Sequence, residues 1–149
     1  MKNIFIAFVF GFSSISYAQT DYSFVYDSES FLSDGIRLYE EGKYQDALKT
    51  FDKIVKDDPN FYSAQYEKAI TLAVGDDKEA ARAFYEDAYN KGYMKENPLF
   101  YMAYGNFLSD QKDYDKAEKM FQESLKIYPN SSSLFYNLAL LYLRKEERQ

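Results

Sequence analysis

The chain has 149 residues, 46% of them hydrophobic and 19% aromatic, with 28% charged, enough apolar content to build a core and to exclude a disordered or low-complexity chain. Its net charge of −6 argues against a nucleic-acid partner, because a phosphate backbone selects a positive surface. The absence of Cys and His removes disulfides, thiolate nucleophiles, the commonest metal ligands and the usual general base at neutral pH.

The chain opens with Lys2, an apolar run of nine residues from Ile4 to Phe12, and the triplet Ser16-Tyr17-Ala18 before Gln19. A positive start, a short apolar stretch and small residues at the first and third places of the triplet resemble a bacterial secretory signal. The run is too short to cross a bilayer, which takes about 20 residues. Residues 1–18 are therefore expected to be cleaved between Ala18 and Gln19. The mature chain would be periplasmic or secreted, with no membrane span, and without Cys it would rely on packing for stability. Residues 19–27 read as an extended lead-in.

A repeat runs through the remainder. Gly35, Ala69, Gly105 and Ala139 are spaced by 34, 36 and 34 residues. Each is followed three residues later by a large apolar residue: Leu38, Leu72, Leu108 and Tyr142. Ala47, Ala81 and Ala117 stand twelve residues after the first three, and Phe51, Tyr85 and Phe121 four beyond those. Pro59 and Pro129 close the first and third units. Small and large residues three and four apart share one face of a helix. The spacing predicts helices over 29–41, 44–57, 62–74, 77–91, 98–111, 114–128 and 132–146. Asp76, Asn97, Asp113 and Asn130 are placed as N-caps and Gly92 as a helix stop. Small residues at repeating positions mark close helix crossings, and one helix pair alone cannot bury both faces, so pairs must stack.

These residues resemble the tetratricopeptide repeat, a 34-residue helix–turn–helix unit. The resemblance covers 28–61, 62–95 and 98–131, followed by a lone helix in 132–149. It implies an all-α solenoid of three repeats plus a C-terminal helix. Gln65 and Lys68 depart from the pattern, as does Asp34, Tyr93 stands where a closing Pro would be, and two extra residues separate units two and three.

The acidic pairs and cluster Asp57-Asp58, Asp76-Asp77 and Asp110/Asp113/Asp115 lack calcium-loop spacing and are read as helix caps in turns. The sequence holds no Gly-rich phosphate loop and no nucleophile elbow. No metal, cofactor or catalytic residue is assigned.

The resemblance further implies that the first helix of each pair lines a concave face on which protein segments lie. Carried over residue by residue, that face holds Leu32, Ile36, Tyr39, Tyr66, Glu67, Ile70, Met102, Asn106, Ser109, Tyr136, Asn137 and Leu140. The family's carboxylate clamp is not matched, because Leu32, Ile36, Glu67 and Ala103 occupy its places and only Asn137 is similar. The expected function is a non-catalytic exported scaffold that binds a protein or peptide in an apolar, aromatic groove. The rival readings are an assembly protein that self-associates through its last helix, and an enzyme with a site the sequence does not reveal. LFYNLALLYL over 134–143 is apolar on nearly every side, and no second helix follows it before Gln149. Weak self-association through Tyr136, Leu140 and Leu143 is expected.

Overall fold

The computed structural model describes residues 22–147, so the expected cleavage after Ala18 lies outside the described residues. The described residues form eight helices: α1 (Tyr22–Glu40), α2 (Tyr44–Phe51), α3 (Phe61–Val74), α4 (Lys78–Asn90), α5 (Tyr93–Glu96), α6 (Leu99–Asp110), α7 (Tyr114–Ile127) and α8 (Ser132–Glu146). None of them is long and apolar enough to cross a membrane. Helices α1, α3, α6 and α8 form one row, each touching the next, while α2, α4 and α7 pack behind it. This is the all-α repeat solenoid that the spacing predicts.

The repeat columns have direct structural meaning. Gly35 faces the ring of Phe51, and Gly105 faces the ring of Phe121 so closely that a Cβ there would lie 2.6 Å from it. Ala47, Ala81 and Ala117 are all completely buried, as their register requires. Two apolar clusters result. A smaller one joins α1, α2 and α3 around Ala47, Phe51, Ile54 and Ala64. A larger one runs from α3 to α8 around Tyr85, Phe100, Leu108 and Phe121. At its centre the Tyr85 ring stacks on Tyr104, with centroids 4.9 Å apart, and meets Phe100 and Phe107 at 5.9 and 5.3 Å.

The turn inside units one and three is the same. Lys43 N–H reaches the Leu38 carbonyl at 2.8 Å, and Asp113 N–H reaches Leu108 at 2.9 Å. Both turns need a left-handed residue, which is Gly42 (φ 73°) in the first and Lys112 (φ 62°) in the third.

Several boundaries differ from the sequence reading. Helix α1 starts at Tyr22, so residues 22–27 are helical rather than extended. Helix α2 stops at Phe51 instead of 57. Lys53 and Ile54 bond back three residues, to Thr50 and Phe51, and Pro59 disfavours helix at the residue before it. Asp77, not Asp76, caps α4, its carboxylate accepting from Ala80 N–H at 2.8 Å. Ser131, not Asn130, caps α8. Gly92, in the left-handed region at φ 78°, does end α4. Of the two extra residues between units two and three, Glu96 ends the short helix α5 and Asn97 is its extended C-cap; α5 buries Met94 completely in the larger cluster.

The departures at 65 and 68 also have partners. Gln65 is buried in α3. Lys68 pairs with Asp52 of the preceding unit, and its ammonium lies 5.3 Å from the Phe84 ring centroid. A polar residue thus ties α2, α3 and α4 where the pattern prefers an apolar one.

Candidate functional site

The row α1–α3–α6–α8 carries the candidate face. Between α3 and α6 lies a cleft of about 340 Å³, walled by Tyr66, Ile70, Ala73, Met102, Ala103 and Phe107, with Tyr85 at its base. Asn106, Asp110 and Gln111 make its polar edge, and the Lys78 ammonium at the rim donates to the carbonyls of Ala73 and Gly75, both at 2.7 Å. A second cleft of about 290 Å³ follows between α6 and α8, lined by Asn106, Ser109, Asp110, Asn137, Leu140 and Arg144. Asn106 and Asp110 line both, so the two clefts adjoin on either side of α6.

Seven of the residues named from sequence therefore come together on this face: Tyr66, Ile70, Met102, Asn106, Ser109, Asn137 and Leu140. Leu32, Ile36 and Tyr39 do not line either cleft. They are half-buried on α1 and pack on the smaller cluster, because the Gly35–Phe51 crossing draws α1 against α2. Tyr39 still adjoins the face, since burial, Tyr44 and Glu67 together raise its phenol above the ordinary range. Tyr136 points away, 64% exposed on the outer flank of α8. Leu140 turns into the α6–α8 cleft, so the free flank of α8 consists of Phe135, Tyr136, Tyr142 and Leu143 instead.

Electrostatics sharpen the picture near α3. Glu67 is half-buried beside Tyr39 and Tyr66, and burial pushes its carboxyl above the usual 4.5. Among the described residues no cation pairs with it. The acidic cluster Asp110/Asp113/Asp115 does have partners: Asp110 with Arg144 at 2.9 Å, Asp115 with Lys145 at 2.7 Å, and Asp113 with Arg82 and Lys116 at 3.5 and 3.3 Å. Burial pushes Tyr104 up to about 12 and Tyr85 upward as well, so both stay neutral phenols of the core. No group of acidic side chains that could hold a metal ion occurs among the described residues.

Sequence reasoning missed a third cleft, of about 500 Å³, at the turn from α7 to α8. Leu99, Met102, Ile127, Tyr128 and Leu134 wall it, and the Ser124 hydroxyl is buried there without a hydrogen-bond partner. The legible signal is apolar Ile127 and Tyr128 at a helix end, where polar residues are the norm.

The tetratricopeptide repeat profile matches residues 33–99, and a second profile of that repeat matches 98–131. A TPR repeat-containing protein of Methanocaldococcus jannaschii, MJ1428, is 23% identical over 116 residues, 78% of this chain and 20% of that protein. An N-terminal acetyltransferase A complex subunit-like protein of Schizosaccharomyces pombe, C418.02, is 28% identical over 116 residues, 77% of this chain and 16% of that protein. The chain thus spans about a fifth or less of the length of these relatives. With the repeat register, the stacked helix pairs and both profiles in agreement from 33 to 131, the chain belongs to the tetratricopeptide repeat family.

Proposed function

We propose that this protein is a non-catalytic scaffold, exported after removal of residues 1–18, that holds a segment of a partner protein across α3, α6 and α8. The observation that carries the reading is the face on which Tyr66, Ile70 and Met102 offer apolar surface beside the side-chain amides of Asn106 and Asn137. Apolar walls anchor side chains of a bound segment, and the amides bond its backbone without reading sequence. Glu67, half-buried at the α1 side of the face, suits a ligand Lys or Arg next to an apolar anchor. Tyr66 supplies large contact area with few rotatable bonds, as interface hot spots do.

Affinity capture from the native envelope tests this with three baits: wild type, Tyr66→Ala, and Lys91→Ala in the turn after α4. Removing a hot-spot anchor costs about 2 kcal/mol or more, roughly a thirtyfold loss in affinity. A partner retained by Lys91→Ala and lost by Tyr66→Ala supports the groove. Equal retention by folded samples of both rejects it. N-terminal sequencing of exported protein should begin at Gln19; an N-terminus at Met1 rejects the export reading alone.

A further inference from the structure

The outer flank of α8 is apolar and symmetrical about one small residue. Phe135, Tyr136, Tyr142 and Leu143 are 54%, 64%, 45% and 57% exposed. At about 100° per residue they share one face with exposed Ala139 at its middle. Large side chains stand three and four residues before Ala139, and large side chains stand three and four residues after it. Helix α8 rests on α6 and α7 and buries Leu134 and Leu141, while this face stays about half exposed, with Glu118 of α7 touching it at the Tyr142 hydroxyl.

We propose that this face is a homodimer interface, in which α8 pairs antiparallel with α8 of a second copy on a two-fold axis at Ala139. A two-fold contact is isologous, so the surface must be complementary to itself when reversed. The pattern meets that demand. Ala139 lets the axes approach at the crossing. Phe135 then lies beside the partner's Leu143, and Tyr136 beside the partner's Tyr142. A contact with an unrelated helix would place no such demand for symmetry on the face.

The charges agree with antiparallel pairing. Glu146 stands on the same face, seven residues after Ala139, and Ser132 seven before it. Pairing brings each Glu146 to the first turn of the other α8, where free N–H groups and the helix dipole favour a carboxylate. The basic residues of α8 are held by their own chain: Arg144 by Asp110 and Ser109, each at 2.9 Å, and Lys145 by Asp115 and Glu118 at 2.7 and 3.3 Å. The Tyr142 hydroxyl donates to Glu118 at 2.7 Å, which fixes its ring before any contact is made.

Size sets the strength. Aromatic side chains bury roughly 150–250 Å² each, so four half-exposed residues offer roughly 400 Å² per copy. That is about half of the roughly 800 Å² per partner in a standard interface, which makes a weak, micromolar-class dimer. Asn137 and Leu140 lie outside the contact, so the groove stays open, and the two readings fail independently.

Sedimentation velocity on the full chain from micromolar to several hundred micromolar tests the dimer, with Ala139→Glu as the disrupting variant at an already exposed position. Wild type should show a concentration-dependent dimer, weakened at least tenfold by Ala139→Glu and unaffected by Tyr66→Ala. Because the chain has no Cys, cross-linking reads the orientation. A mixture of Phe135→Cys and Leu143→Cys should form a mixed disulfide faster than either variant forms its own. Both should exceed Lys49→Cys, an exposed control on α2. A wild type monomeric throughout, a dimer indifferent to Ala139→Glu, or cross-linking no faster than the control overturns the proposal.

Discussion

The ring of Phe121 lies 2.6 Å from the point that a Cβ on Gly105 would occupy. Helices α6 and α7 cross there with backbone against ring, and Gly35 with Phe51 shows the same relationship two repeats earlier. Unit two has Ala69 in that column, with Tyr85 as the ring sixteen residues on, both buried. Two opposing effects decide what an added methyl does. Gly→Ala gains about 1 kcal/mol of helix propensity, and overpacking costs about 1–3 kcal/mol. The ring cannot withdraw from a filled core, so the second effect wins. Gly105→Ala should lower the urea midpoint, and adding Phe121→Leu should recover part of the loss.

Lys112 predicts a change in the other direction. It adopts the left-handed conformation at φ 62° that Gly42 supplies in the equivalent turn. A side chain there costs about 1–2 kcal/mol, offset in part by the larger freedom of Gly in the unfolded chain. Lys112→Gly should therefore raise stability by up to about 1 kcal/mol, read as a higher thermal midpoint with the helical content unchanged.

Met94 tests the short helix between units two and three. It is fully buried and belongs to the core that joins α4 to α6. Met94→Ala should cost about 2–5 kcal/mol, the range for a buried large side chain that leaves a cavity. A loss below about 1 kcal/mol, the level of ordinary surface changes, would mean that α5 does not anchor the core.

Glu67 links the groove to pH. Its folded-state carboxyl titrates above the usual 4.5, so the folded chain holds that proton more firmly than the unfolded chain does. Stability from this group is therefore present at low pH and falls as pH rises through the raised value. Glu67→Gln is neutral throughout. Its denaturation midpoint should match wild type in acid and exceed it at neutral pH, while binding of a partner with a basic anchor weakens. Parallel midpoints across the range would contradict the burial of this carboxyl.

The repeat register was legible because sequence spacing encodes helix faces directly. Gly35, Gly105, Ala47, Ala81 and Ala117 stand in columns that only close crossings explain, and each is buried as that requires. Gly92 ended its helix for an equally local reason, a positive φ. Among the groove residues, Tyr66, Ile70, Met102 and Asn106 followed from the same register, since they face outward from α3 and α6 whatever the details of stacking.

What the tertiary structure decided depends on distances between units, which no local pattern carries. The position of α1 against α2 took Leu32 and Ile36 out of the groove. The depth of α8 against α6 turned Leu140 into a cleft and left Phe135 and Tyr136 on the outside. Lys68 looked like a flaw in the pattern until Asp52 and Phe84, from the helices on either side, met it in space. Sequence spacing determined which face of each helix is apolar, because helix geometry is periodic and short-range. How far each face is covered depends on the angle and separation of neighbouring helices, and those are set by the summed packing of side chains far apart in the chain.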